Sequence, residues 1–393
     1  MARSPSFLVS TFLLLAACAA AGSCSAESRS PAPTDEGPVP GATFELSSVP
    51  EPAIDWSPEI YRVRKLTDGP VIDGRLDDEA WQETEWTGDF VDIQGGELPA
   101  PRYRTRARMA WDEEYFYVAA EMEEPHVWGT LTERDAVIYY DNDFEVFLDP
   151  DADTHLYYEI EVNALNTVWD LMLIKPYRDG GPAVDAWDIG GLRTAVAVDG
   201  TLNDPTDRDA GWSIEIAIPW EVLAEAAGRP APPSPGDRWR ANFSRVQWRS
   251  VIEDGRYVKQ VDPASGEALD EDNWVWSPQG RIAMHYPEMW GIVEFVDSPD
   301  TPAAAASGAG ALSEEERALW ALRHVYYRQR ARVEETGRWA RSAEELELAS
   351  APVPDLPWPP TLALTPSGFE AVLPLGDGRT AHIREDGLAW ITD

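Results

Sequence analysis

The chain has 393 residues, enough for one large domain with a smaller companion, and 44% of them are apolar, so a substantial core can form. Lys and Arg number 32 against 70 Asp and Glu, a net charge of −38, which excludes nucleic acid as a partner and disfavours an anionic membrane surface. The 18 Trp fill cores by default, but they are also the flat rings on which sugars stack.

The chain opens on MARSPSFLVSTFLLLAACAAAGSCSAE, with Arg3 ahead of an apolar stretch from Phe7 to Ala21. That stretch is too short to span a bilayer and has the length of a signal-peptide core, so residues 1–26 are expected to direct export. Within it, Leu15 to Cys18 (LAAC) resembles a bacterial lipobox, in which Cys18 would carry the lipid; ordinary cleavage near Ser25 is the alternative. The expected location is the bacterial cell envelope, as an outer-membrane lipoprotein or in the periplasm. Membrane contact would come only through the lipid on Cys18. After Cys24 there is no cysteine, so the folded part has neither disulfide nor thiol chemistry.

Residues 27–58 are rich in Pro, Ser, Gly and acids and read as a disordered stalk. From 59 to 296 the dominant period is two. YRVRKL is a strand, and residues 103–124 read as a hairpin about the DEE turn. DFEVFLDP and HLYYEIEVNA form a second hairpin, joined by DPDADT. TVWDLMLIKP, GLRTAVAV, GWSIEIAIP, DRWRANFSRVQW and WGIVEFV continue the series. Two short helices are expected at LDDEAWQETE and PWEVLAEAAG. The fold class is therefore mainly β: an antiparallel β-sandwich, jelly-roll or immunoglobulin-like. Residues 297–312 read as a linker. Residues 313–393 form a small α+β appendage, a helix with a capping box at Ser313 followed by a small β-hairpin. In that helix Leu319, Leu322, Val325 and Tyr326 share one face.

Three acids in DPDADT, Asp149, Asp151 and Asp153, have alternate spacing that suits calcium. The loop is no EF-hand, since its sixth position is not Gly and its twelfth is Ile160. A solvated turn with Asx hydrogen bonds is the other reading. On the strands, Phe144, Val146 and Leu148 point to one side and Asp143, Glu145 and Phe147 to the other. Glu159 and Glu161 share a face. Set against Glu145 they suit a glycosidase carboxylate pair, the acceptors of a sugar site, or the outer face of a solvated sheet. The five His lie in no metal-ligand spacing, and neither a G-x-S-x-G elbow nor a glycine-rich phosphate loop is present.

VIDGRLDDEAWQETEWT, ARMAWDEEYFYVAAEMEEP, DNDFEVFLDPDADTHLYYEIEVNALNTVWDLML, GWSIEIAIPWEVL, GDRWRANFSRVQW and HYPEMWGIVEF follow one another in order. Together they resemble the family 9 carbohydrate-binding-module-like domain found attached to xylanases, over residues 60 to 296. The resemblance implies a β-sandwich that grips polysaccharide or oligosaccharide ends, xylan among them, and usually carries structural calcium. It places the family's sugar-contacting Glu at Glu145 and its first stacking ring at Tyr139. The family's basic contact falls at Glu161, an acid here, and its second stacking ring falls near Met284. Trp128, Trp276 and His285 lie in the loops that would neighbour this site, and Glu159 adds an acceptor. The run VYYRQRARVEETGRWARSAEEL resembles the helical region of pilin-like domains.

The leading expectation is a non-catalytic carbohydrate-binding lipoprotein acting in polysaccharide catabolism, with calcium as its one expected cofactor. Two others stay open: a glycoside hydrolase using Glu145 with Glu159 or Glu161, and an envelope interaction module whose tail helix docks a protein partner.

Overall fold

Alternating side chains build one large sheet. Its first strands are β1 (Ile60–Lys65), β2 (Val91–Asp92), β3 (Thr105–Trp111), β4 (Tyr115–Glu123), β5 (Asp143–Asp149), β6 (Tyr157–Asn163) and β7 (Val168–Leu173). There follow β8 (Ala183–Val184), β9 (Arg193–Asp199), β10 (Gly211–Pro219) and β11 (Arg238–Gln247). A detached hairpin of β12 (Ser250–Glu253) and β13 (Arg256–Lys259) precedes β14 (Asp272–Val275) and β15 (Gly291–Val296). The computed structural model describes residues 47–297 and 312–393. The leader with Cys18, the stalk up to residue 46 and nearly all of the expected linker lie outside the described residues.

The strand order is β8-β7-β6-β5-β11-β15-β1-β3-β4-β10-β9, with β14 paired to β11 and β2 paired to β14. Phe144 and Val146 of β5 share one core with Ile214 and Ile216 of β10, although these strands stand far apart in that order. The sheet therefore curls over its own apolar face, and its two halves meet as the layers of a sandwich do. Trp111, Trp220, Trp239 and Phe295 fill the centre edge to face, with centroids 5.3 to 6.3 Å apart.

The expected hairpins form in the expected register. Trp111 pairs with Phe116 across a turn in which Asp112 accepts from the N–H groups of Glu114 and Tyr115. Phe144, Val146 and Leu148 face the core, as alternation requires. One feature departs from an antiparallel sandwich: β1 runs parallel to both β15 and β3. No tight turn links β1 to either neighbour, so nothing enforces the antiparallel sense. The two expected helices, α1 (Glu79–Gln82) and α2 (Trp220–Leu223), are single turns.

The tail consists of α3 (Glu314–Thr336) and a four-stranded antiparallel sheet. Its strands are β16 (Thr361–Leu364), β17 (Phe369–Pro374), β18 (Thr380–Arg384) and β19 (Ala389–Thr392). The capping box is present: Glu316 N–H donates to Ser313 Oγ, and Ser313 N–H to the Glu316 carboxylate. The expected hairpin is thus enlarged, because TAHIREDGLAWI turns at Gly387 into two strands and a further strand pairs ahead of β17. Leu322, Val325 and Tyr326 are fully buried within this chain. Leu319, on the same face, is half-buried.

The stalk expectation does not hold for residues 47–58. Val49 is buried, Trp56 stacks on Trp320 with centroids 5.2 Å apart, and Ser47 C=O accepts from Arg330 Nε. The apolar residues in this Pro-rich stretch find a surface between α3 and the large sheet.

Buried ion pairs join the tail to that sheet. Arg178 donates twice to Glu288 at 2.8 Å, and Arg330 on α3 pairs with Asp179. Tyr326 Oη donates to the same Asp179 carboxylate at 2.6 Å, and Tyr327 Oη donates to Glu288. Removing one partner of such a buried pair strands the other's charge, at about 3–5 kcal/mol. Arg330→Ala should lower unfolding stability by that amount in a denaturant titration. Arg332→Ala, whose partner Glu345 is solvent-exposed, should change it by less than about 1 kcal/mol. Equal small losses in both variants would contradict the weld between tail and sheet.

Candidate functional site

The strands that bury Phe144, Val146 and Ile160 on one face carry acids on the other. The ladder sets Glu145 directly opposite Glu161, and Phe147 opposite Glu159. On the β11 side, Ser244 stands across from Glu145; on the β7 side, Trp169 stands across from Glu161. Asp143 lies two residues before Glu145 and so shares its face. This face is not the solvated exterior of a half-buried sheet: Asp143, Glu145, Glu159 and Glu161 are at most 5% exposed.

Crowded, desolvated carboxylates resist ionisation. Burial pushes Glu145 up to about 7, while the Ser244 hydroxyl opposes the shift. Burial and then the charge of Glu145 hold Asp143, Glu159 and Glu161 well above the usual carboxylate range. Oxygens of Asp143, Glu145 and Glu161 lie within 4.8 Å of one another. Two full charges at that distance repel by roughly 3–4 kcal/mol at an effective dielectric of 20. Among the described residues no Lys or Arg pairs with any of the four, and Tyr139 N–H donates to Glu161 at 3.0 Å. The face can therefore accept hydrogen bonds from hydroxyls, coordinate a cation, or retain protons.

Tyrosines stand at its rim. Tyr139 and Tyr140 sit 4.8 Å apart on a short helical turn, Ile138–Tyr140, and Tyr140 is 53% exposed. On the turn Tyr177–Asp179, Tyr177 is 49% exposed and packs edge-on against His285 at 4.6 Å. The Tyr177 hydroxyl is raised to about 12 by burial and then by the charge of Glu159, with Glu161 and Tyr139 adding to it. His285 meets Tyr157 Oη at 2.8 Å through Nδ1. Burial, aided by Arg178, lowers it to about 4, so it is neutral at pH 7.

Of the residues read from sequence, the structure thus brings together Tyr139, Glu145, Glu159, Glu161 and His285. Three others are buried rather than presented to solvent. Trp276 belongs to the sheet core, with its ring against Gly291, where even a Cβ would come within 2.4 Å. Trp128 is buried against Val246 and Trp248. Met284 is buried with Phe147 and Trp290, in the apolar cluster beside the acids. None of the three offers a face to solvent, because each fills a gap that its neighbours leave. Sequence reasoning missed Asp143 and Ser244 as site residues, although their period-two spacing was legible. It also missed Tyr140 and Tyr177, exposed rings in polar loops.

At the far end of β5, Asp149, Asp151 and Asp153 bring carboxylate oxygens within 4.8 Å. Asp149 is wholly buried and accepts from the N–H groups of Ala152 and Thr154, the Asx-type bonds expected of the turn, while Asp151 and Asp153 are half-buried. Ala152 and Thr154 take φ of 61° and 75°, and Thr154 is a β-branched residue rarely found there. Asp151 presses on Gly228, where a Cβ would meet its Oδ2 at 1.8 Å. Three carboxylates with no nitrogen or sulfur among them fit a hard cation such as calcium. A cavity of about 730 Å³ opens beside this turn, between sheet and tail, and its walls include Trp56, Arg240, Trp320 and Trp390. None of the residues read as a sugar site lines it.

Comparison with known proteins gives the family context. Residues 72–234 match the family model described as "Carbohydrate family 9 binding domain-like". The chain is 26% identical over 154 residues to "Exoglucanase XynX" of Acetivibrio thermocellus, a match taking in 39% of this chain and 12% of that protein. Among solved structures, it is similar to a family 9 module from Caldicellulosiruptor kristjanssonii in complex with cellotriose. The TM-score is 0.40 at 18% identity, covering 62% of this chain and 97% of that one. A putative carbohydrate-binding protein from Bacteroides uniformis aligns with a TM-score of 0.45 at 15% identity, over 61% of this chain and all of that one. The large sheet of this chain thus carries, over residues 72–234, a domain like those of the carbohydrate family 9 binding family.

Proposed function

We propose that this chain binds carbohydrate on the acidic face of β5 and β6, as an exported envelope lipoprotein serving polysaccharide catabolism. One observation carries the reading: a buried row of carboxyl oxygens, with Glu145 facing Glu161, has the exposed rings of Tyr140 and Tyr177 on turns beside its strands, Tyr140 next to the Tyr139 N–H that donates to Glu161 and Tyr177 packed on the His285 that meets Tyr157. Sugar hydroxyls donate to such acceptors, and a pyranose CH face packs on a ring. The family match supports the same reading. Polysaccharide or oligosaccharide ends are the proposed ligands, Cys18 the lipid anchor, and Asp149, Asp151 and Asp153 the holders of a structural calcium ion.

A second reading is favoured by Glu145, whose raised carboxyl stands directly across from Glu161, as in an acid pair for glycoside hydrolysis.

A glycan array with the full mature chain separates these. Binding without release of reducing sugar is expected, and Tyr177→Ala and Glu145→Gln should each weaken it about tenfold, the loss of roughly 1.4 kcal/mol. Failure of every glycan to bind, with or without calcium, would remove the proposal; release of sugar that stops in Glu145→Gln would favour hydrolysis. Calcium in large excess over its dissociation constant should raise the melting temperature by about 5 °C over chelator-treated protein. Asp151→Asn should lose much of that gain, and an unchanged gain would count against the turn as a calcium site. Cells fed labelled palmitate should label the wild-type chain and leave Cys18→Ala unlabelled; equal labelling would place the lipid elsewhere.

A further inference from the structure

Several other buried carboxylates among the described residues are answered. Glu215 accepts from Asp73 N–H, Gly74 N–H and Trp81 Nε1 at 2.6–2.9 Å. Glu124 faces Arg245 at 2.8 Å, and Glu288 takes two hydrogen bonds from Arg178. Asp143, Glu145 and Glu161 are answered only in part: Asp143 accepts from Val246 N–H at 3.3 Å and Glu161 from Tyr139 N–H at 3.0 Å. They converge on one point of the sheet face, and Asp143 Oδ2 and Glu145 Oε2 are buried without a hydrogen-bond partner. Ser244 gives an independent sign. Its side chain is wholly buried across the ladder from Glu145 and near enough to favour that carboxylate's charge, yet its Oγ makes no well-formed hydrogen bond. A neutral hydroxyl left unsatisfied beside unsatisfied carboxylates marks a place where something else is bound.

We infer that Asp143, Glu145, Glu161 and Ser244 form a binding site for a hard divalent cation of calcium's class. The donors are all oxygen, which selects calcium over the metals that favour nitrogen or sulfur. Three carboxylates and a hydroxyl supply four ligands, and second carboxylate oxygens or water bring the number to the six to eight that calcium takes. A dication answers the carboxylates with the charge that no side chain provides. This site is separate from the Asp149–Asp153 turn. Asp143 begins β5 and Asp149 ends it, about 20 Å apart along an extended strand. It lies on the face proposed above to hold sugar, but calcium binding can be read without any sugar.

The test is calorimetric titration of chelator-stripped full chain with calcium chloride alone. Relative to the parent, Glu145→Gln/Glu161→Gln should lose one calcium equivalent, or bind it at least about tenfold more weakly. Ser244→Ala, which keeps every charge, should weaken the same step. A double-variant isotherm that superimposes on the parent's overturns the inference. If the double variant does not fold, an unchanged Ser244→Ala isotherm overturns it. Glycan binding measured in parallel keeps the two readings apart. Calcium bound without any glycan counts against the carbohydrate proposal alone, and glycan bound with no calcium step at this face counts against this inference alone.

Discussion

Everything about the candidate site depends on β5 and β6 being buried on both faces. A strand with one wet face can carry acids at alternate positions at little cost, because water solvates them. Here the alternation persists and the water is excluded. Asp143, Glu145, Glu159 and Glu161 keep the register that an exterior face would have, yet they stand beside Phe147, Leu171 and Trp290. Desolvation and mutual repulsion then raise every carboxyl on the face. Such an arrangement is unfavourable for folding alone, and strain of this kind concentrates at sites whose chemistry uses it.

The tail contributes to the same site from behind. Tyr177 at the rim is followed by Arg178 and Asp179, and both are held by buried partners. Arg178 pairs with Glu288, and Asp179 with Arg330 and Tyr326 of α3. His285, which packs on Tyr177, gives its carbonyl to Arg178 Nη1. The turn that presents Tyr177 is therefore pinned by α3, a helix remote in sequence. Residues 47–58 complete the joint, since Trp56 donates to the carbonyl of Glu288 and Tyr286 donates to that of Pro50. A ring that must stack on a ligand gains from this fixation, because little of its freedom remains to be lost on binding. The tail thereby bears on the geometry of the binding face without lining it.

Local pattern made much of this legible. Phe144, Val146 and Leu148 against Asp143, Glu145 and Phe147 is period two read directly, and the structure keeps it. The capping box at Ser313 is equally local. What remained hidden depends on partners distant in sequence. Trp128, Trp276 and Tyr177 are all rings in loops, and composition does not say that the first two fill core gaps while the third stands exposed. The parallel sense of β1 comes from neighbours at Gly291–Val296 and Thr105–Trp111 rather than from its own residues. The Pro-rich stretch at 47–58 reads as unstructured until α3 and Glu288 supply its contacts.

The chemistry of Glu161 narrows what the face can hold. The family resemblance puts a basic residue at this position, and a basic side chain would both neutralise Glu145 and donate hydrogen bonds. With Glu161 there instead, acid faces acid and no fixed positive charge is present, leaving two carboxyls, the hydroxyl of Ser244 and the indole of Trp169 on this row of the ladder. An anionic ligand is repelled by such a floor. A polyol can meet it only by donating, and each hydroxyl that does so leaves the carboxylate charges in place. A cation removes the charge itself. Cation and polyol are then compatible occupants, because calcium commonly keeps some positions for water oxygens, and a hydroxyl oxygen can take one.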